Sequence, residues 1–525
     1  MIRDGFTRRH LLAGTGAAAL ALPTIGRPRP ARAAGDLTVV LESEVVILDP
    51  HATTAAITRS FAYHVFDTLF SMDSAGRIHP QMAAGHEVSA DGLSWTIPLR
   101  DGLLWHDGKP VTAADCAASL ARWAPRDGLG RMMLAAGASF SARDARTITI
   151  ALKQPFPLML DVLGKPNAPV PVMMPERIIK AAGEQRISEI VGSGPFVFRA
   201  DLWRSGDSMV LARNDRYVPR DGEPDFLAGG KRVKIDRLVL KVMPDDTTGA
   251  NALGVGEIDY MQYLPFDFLD LLGRNRDVNL IGLGGIHMFQ GNFRLNHASG
   301  PFADPAVRRV LWKLVDQKAI LTAIGVPQKF RLEACPSFFM CGTPMESRMG
   351  AEMARLDIQG ARAELARTGY KGEPVVMLEV AGSISQTAGH VLAENMKAAG
   401  FTVEEQTMDW GTVLARRAKK DGWSLFPVYS NGVDMMSPLN HFYIANNCAD
   451  YPGWSCDSRT TTLLADFLKA PDAAARKDVS DRIQAIAYET VPSVMWGQFS
   501  RPAGYRRRLK NMIESSFPMF WQVEV

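Results

Sequence analysis

The sequence predicts an α/β protein with more than one core. Three observations carry that prediction. Between residues 375 and 429 the chain alternates strand, helix, strand, helix, strand, the pattern of parallel strands covered by helices on both faces. A second strand–helix–strand unit begins at Arg237 and runs through Gly256-Glu257-Ile258-Asp259. The 525 residues, 46% hydrophobic, supply enough apolar surface for two or more domains.

Taken in order, the first segment is unlike the rest. Thr7-Arg8-Arg9-His10-Leu11-Leu12 places paired arginines before an Ala/Gly-rich apolar run that ends near Leu22, and Ala31-Arg32-Ala33 offers a small-x-small cleavage site. This reads as a twin-arginine export signal over residues 1–33. It carries six arginines and one aspartate, so removing it takes the net charge from +3 to about −2. The alternative, a membrane anchor, asks for a longer apolar run. With no lipobox cysteine near the signal, the expectation is a soluble protein in the periplasm.

Asp36 to Leu41 is the first strand, and Ile57 to Leu69 a helix carrying Phe61, Tyr63 and Val65. Leu93, Trp95, Ile97 and Leu99 alternate with polar residues and Pro98, the period of a half-buried strand, and Pro98 argues for a place at the sheet edge. Two Asp-Gly turns lead to Thr112, which with Asp115 resembles a capping box. Cys116, Leu120 and Trp123 then share a helical face that Pro125 ends. From 127 to 185, prolines at 155, 157, 166, 169, 171 and 175 suit an excursion domain of short helices and a hairpin. His287 to Arg294 is an apolar strand, and Asp304-Pro305 opens a helix. Val375–Val380, Thr402–Thr407 and Ser424–Tyr429 are the three strands of the alternating region, with helices at Thr387–Ala399 and Trp410–Lys419 between them. The tail is helical from Thr461 to about Tyr488.

Several chemistries find no support. Gly14-Thr15-Gly16 follows no strand, so it is no dinucleotide loop, and Ala90 breaks the HExxH-like string that starts at His86-Glu87. No G-x-S-x-G elbow is present. The ten histidines include no i, i+4 pair, and neither C-x5-C nor C-x7-C is a zinc spacing. No metal, no cofactor and no nucleic acid are therefore expected, and no catalytic residue is assigned. Cys335 with Cys341 and Cys448 with Cys456 are close in sequence in an oxidising compartment. For each pair a disulfide and two buried thiols both stay open. Cys116 belongs to the helix core.

The stretch Asp91–Leu120, DGLSWTIPLRDGLLWHDGKPVTAADCAASL, closely resembles the most recognisable segment of extracytoplasmic solute-binding proteins, family 5, the peptide and nickel importer type. Gly192-Ser193-Gly194-Pro195-Phe196, the run from Ile235 to Met261 and PFADPAVRRVLWKLVDQKAIL at 301–321 extend the likeness, which covers about 37–510 and thins between 330 and 420. The resemblance implies a bilobal periplasmic-binding-protein fold, class II-like, with an extra excursion domain in the first lobe. The expected division is lobe I at 34–66, 190–285 and 492–525, the excursion at 67–189, and lobe II at 286–491. It implies a non-enzymatic monomer that hands a peptide-like or other amine-bearing solute to an inner-membrane ABC permease and its ATPase.

The ligand then sits between the lobes. In the peptide binders an aspartate followed four residues on by proline meets the ligand ammonium. Asp434 with Pro438 matches, while Asn431 and Met435 replace the family's usual aromatics, so the pocket around the anchor differs. Glu44 matches an acidic position in the loop after the first strand. Tyr263 lies at a strand end, where α/β proteins bind ligands. Tyr429, Trp410 and Tyr63 are aromatic candidates that equally suit packing. Arg416 and Arg417 are the nearest arginines in sequence for a ligand carboxylate. Two other readings stay open: capture of a metal or metal chelate by the same fold, and an exported enzyme.

Overall fold

The computed structural model describes residues 35–449 and 451–525, so the export signal and its cleavage site lie outside the described residues. Among the described residues no helix is long and apolar enough to cross a membrane. The chain opens with β1 (Asp36–Val40) and the helix α1 (Ala56–Val65). A hairpin of β2 (Phe70–Met72) and β3 (Ile78–Pro80) leads into β4 (Glu87–Val88), β5 (Ser94–Pro98), α2 (Ala113–Trp123), β6 (Ser139–Ala142) and β7 (Thr147–Ala151). These last strands form a separate four-stranded sheet, β4-β5-β7-β6. Trp95 and Ile97 from β5 meet Cys116, Leu120 and Trp123 from α2 in one core, as the two periodicities require. Thr112 and Asp115 make both halves of the capping box.

Pro98 stands inside this sheet, not at its edge. It pairs with Thr147 of β7 on one side. On the other side, Glu87 pairs with Thr96 and Ala83 with Leu99, so three residues of the partner chain span the gap opposite Ile97 and Pro98. The ladder is interrupted there, and the missing N–H of proline costs no regular bond.

The chain returns through β8 (Phe196–Phe198), β9 (Ser208–Arg213), β10 (Arg237–Lys241), α3 (Asp246–Val255), β11 (Tyr260–Met261) and β12 (Val278–Ile281). β10 and β11 flank β1 and run parallel to it, which closes the strand–helix–strand unit around the first strand. Crossing over, β13 (Phe289–Leu295) begins a second sheet, completed by β14 (Val375–Val380), α4 (Ile384–Ala399), β15 (Val403–Met408), α5 (Trp410–Arg417), β16 (Leu425–Asn431), the helices α6 (Ser458–Lys469) and α7 (Ala473–Thr490), and β17 (Ser493–Phe499). β18 (Ala503–Arg506) lies back in the first sheet.

The first lobe is thus the sheet β12-β18-β11-β1-β10-β9-β8, and the second is β15-β14-β16-β13-β17. In the second, β14 is parallel to β15 and β16, as the alternation predicts, but β13 runs antiparallel to β16 and β17. The sheet is mixed because β13 enters from the first lobe and β17 leaves toward it. Val375 and Met377 face the core under α4, while Leu378 faces Val413 of α5, so helices cover both faces. One expected boundary moves. The chain stays in the second lobe through Phe499, because β17 pairs with β13, so residue 492 is too early a return to lobe I. Gly291 is required for that pairing, since a Cβ there would stand 2.1 Å from the Trp496 ring.

Both proposed cysteine pairs are bridged, Cys335 to Cys341 and Cys448 to Cys456, while Cys116 is free and buried.

Candidate functional site: the cleft between the lobes

Two crossings join the lobes, between β12 and β13 and between β17 and β18. The ends of β1, β16 and β17, with the helix α1, bring four charged side chains together: Glu42, Asp434, Arg501 and Arg59. Such strand ends are where open α/β sheets place ligands.

Asp434 follows β16 in a single 3-10 turn, Gly432–Asp434. That turn enters the first lobe: Val433 is part of the core that holds Leu37, Phe61 and Phe517. Asp434 is buried, and its Oδ1 accepts from Arg59 Nη1 at 2.8 Å. Arg59 stands on the buried side of α1, with its guanidinium 4.3 Å from the Phe517 ring centroid. The pair spans the lobes, so the described conformation is closed. Burial raises the Asp434 carboxyl above its usual range, against the pull of Arg59. The arginine has more donors than the aspartate uses: Nε and Nη2 are buried without a hydrogen-bond partner among the described residues.

Glu42, just past β1, is the second acid. Its side chain is open to solvent, yet burial raises its pKa, with Arg59 and Arg501 pulling it down. Its carboxylate has no hydrogen bond or ion pair among the described residues. Glu44, two residues on, accepts at Oε1 from Ser205 Oγ and the Gly206 N–H at 2.9 Å each, which ties its side chain to that turn.

Arg501 lies in the crossing between β17 and β18. Its guanidinium is 4.3 Å from the Tyr263 ring centroid and 5.9 Å from that of Tyr429, and Nη1 donates to Tyr429 Oη at 3.0 Å. Tyr263 and Tyr429 both set their rings edge-on to Phe289, at 5.6 and 5.5 Å. This is an aromatic-walled cation.

The other sequence candidates sit differently. Tyr63 is buried beside this group, stacked on Phe517, with its hydroxyl donating to Lys165 O and Pro166 O. Met435 packs inward with Met288, Met340 and Tyr443. Trp410 is half exposed on α5 under Arg417, and Arg416 donates to Gln406 Oε1 and Gly422 O. Sequence reasoning missed Glu42, Arg59 and Arg501. The one available signal was nearness to the end of β1, since Glu42 stands two residues past Val40 and Glu44 four.

The model of bacterial extracellular solute-binding proteins, family 5 (middle region), matches residues 77–452. A probable peptide ABC transporter periplasmic-binding protein of Sinorhizobium fredii is 34% identical over 532 residues, 99% of each chain. Two solved structures share the fold. The ABC transporter-associated periplasmic binding protein DppA from Helicobacter pylori, in complex with the peptide STSA, superposes with a TM-score of 0.77 at 18% identity, over 94% of this chain and 98% of that one. The periplasmic binding protein AgaA from A. tumefaciens R10, in complex with agropinic acid, does so with 0.75 at 22%, over 93% and 96%.

Proposed function

Since this chain belongs to the bacterial extracellular solute-binding proteins, family 5, we propose that it is the periplasmic receptor of an ABC importer whose solute carries both an ammonium and a carboxylate, as a small peptide does. It passes that solute to an inner-membrane permease and ATPase, and acts as a monomer exported by the twin-arginine signal with cleavage near Ala33. No chemistry is performed on the ligand. Ligand contacts from both lobes favour the closed state over the open one.

The observation that carries the ligand class is the pairing of spare charges in the cleft. Among the described residues the Glu42 carboxylate makes no hydrogen bond or ion pair, with Arg59 and Arg501 acting on it only from a distance, and Arg59 has two buried donors without acceptors. Asp434 is already engaged by Arg59, so we assign the ammonium chiefly to Glu42, with Asp434 holding Arg59 in place. Arg59 and Arg501 take the carboxylate, with Tyr263 and Tyr429 as walls. A charge-assisted hydrogen bond in such a site contributes about 1.5–3 kcal/mol, or roughly 10- to 100-fold in affinity.

Native mass spectrometry of protein purified from its own periplasm tests this. The expected result is a bound adduct with both an amine and a carboxyl group, depleted in Glu42→Gln and in Arg501→Gln, and a chain starting near Ala34. An adduct held equally by both variants, or one of metal-chelate mass, would refute the assignment.

A further inference from the structure

We propose that Glu379, His390 and Glu405 form a binding site for one divalent transition-metal ion, of the zinc, nickel or cobalt class, on the second lobe and outside the cleft. The three come from three elements: Glu379 from β14, His390 from α4 and Glu405 from β15. One ligand atom from each lies within 4.8 Å of the others. Parallel pairing sets Glu379 beside Thr407 and Met377 beside Glu405, which puts both carboxylates on the face covered by α4.

Glu379 is the informative member. It occupies an inward position of β14 after Val375 and Met377, where the alternation calls for an apolar side chain. It is fully buried, and its Oε1 has no hydrogen-bond partner among the described residues. That oxygen lies 3.7 Å from His390 Nδ1. The other oxygen receives only long contacts, from Thr407 Oγ1 at 3.4 Å and Gln386 Nε2 at 3.5 Å. The helix makes room for the carboxylate: a Cβ at Gly389 would stand 2.5 Å from Glu379 Oε1. A buried, half-satisfied carboxylate is costly as an anion unless it takes up a proton or a cation meets it, and the neighbouring imidazole and second carboxylate equip this one to share a cation.

His390 Nδ1 also hydrogen-bonds Glu405 Oε2, while Glu405 Oε1 accepts from Lys397 Nζ at 2.8 Å. Lys397 therefore balances one acid and leaves the oxygen that faces His390 for the ion. One imidazole nitrogen with two carboxylates suits a borderline first-row cation, with remaining positions filled by water because His390 is half exposed. Thr407 and Gln386 would orient Glu379 from behind. Bound there, the ion joins the edge strand β15 to β14 and α4.

The test is isothermal titration of ZnCl2 into the chelator-stripped protein, with His390→Ala and Glu405→Gln beside it. Both side chains reach solvent, and thermal melts of the metal-free variants check their folding. The expected result is one equivalent of zinc bound by the parent protein, weakened about 10-fold or more in each variant. Zinc should raise the melting temperature of the parent alone. Absence of uptake, or equal uptake by the parent and both variants, would overturn the site.

Discussion

Asp434→Asn is expected to open the cleft without unfolding either lobe. Asp434 and Arg59 lie 2.8 Å apart with side chains 8% and 1% exposed. At an effective dielectric near 20 their attraction is about 6 kcal/mol. Desolvation offsets much of that, but removing one partner strands the other charge, which costs about 3–5 kcal/mol in a buried pair. The cost falls on the closed state, because opening separates α1 from the Gly432–Asp434 turn and returns Arg59 to water. The closed-to-open ratio should drop by roughly two to three and a half powers of ten. Small-angle scattering of the ligand-free protein should show a larger radius of gyration, and hydrogen exchange at Val433 should speed up. The double variant Arg59→Met/Asp434→Leu should recover much of the compactness, since an apolar pair carries no stranded charge. If Asp434→Asn lowers the melting temperature while the radius of gyration stays unchanged, the pair stabilises the fold and not the closure, and the reasoning fails.

The same cleft has a pH dependence of definite sign. Burial raises Glu42 above its ordinary value of 4.5, so at this acid the closed state binds a proton more tightly than the open one. That contribution to closure is complete below the ordinary value and is lost as pH rises through the raised one; scattering from pH 7 down to pH 4 should show a compacting component that Glu42→Gln removes. Cys448→Ser should cost about 2.5 kcal/mol in denaturant melts, the loop entropy of a bridge spanning eight residues. Thr112→Ala removes the cap of α2 and should cost about 1 kcal/mol by the same measurement. Gly291→Ala drives a methyl into the Trp496 ring and should cost about 1–3 kcal/mol or more, with altered near-UV dichroism.

The sequence by itself determined the elements and their order. The alternation of Trp95 and Ile97, the capping box of Thr112 with Asp115, and the end of α4 at Ala399 are each decided within a turn or a strand by neighbouring residues, so they were legible, whereas the place of Pro98 in its sheet depended on a distant strand. The cysteine pairs were legible as candidates because each spans only six or eight residues. Tertiary structure alone decided the use of charge. Arg59 and Asp434 are 375 residues apart, and nothing local marks an arginine on a helix as the partner of a distant loop acid. Glu42 and Glu44 look alike in sequence; a turn at Ser205-Gly206 takes one and leaves the other in the cleft. Spacing rules for metal ligands passed over His390 because its partners come from two paired strands and not from its own helix. Periodicity reports how a segment meets the core. Which charges meet each other depends on where strand ends from two lobes converge, and that is a property of the closed fold.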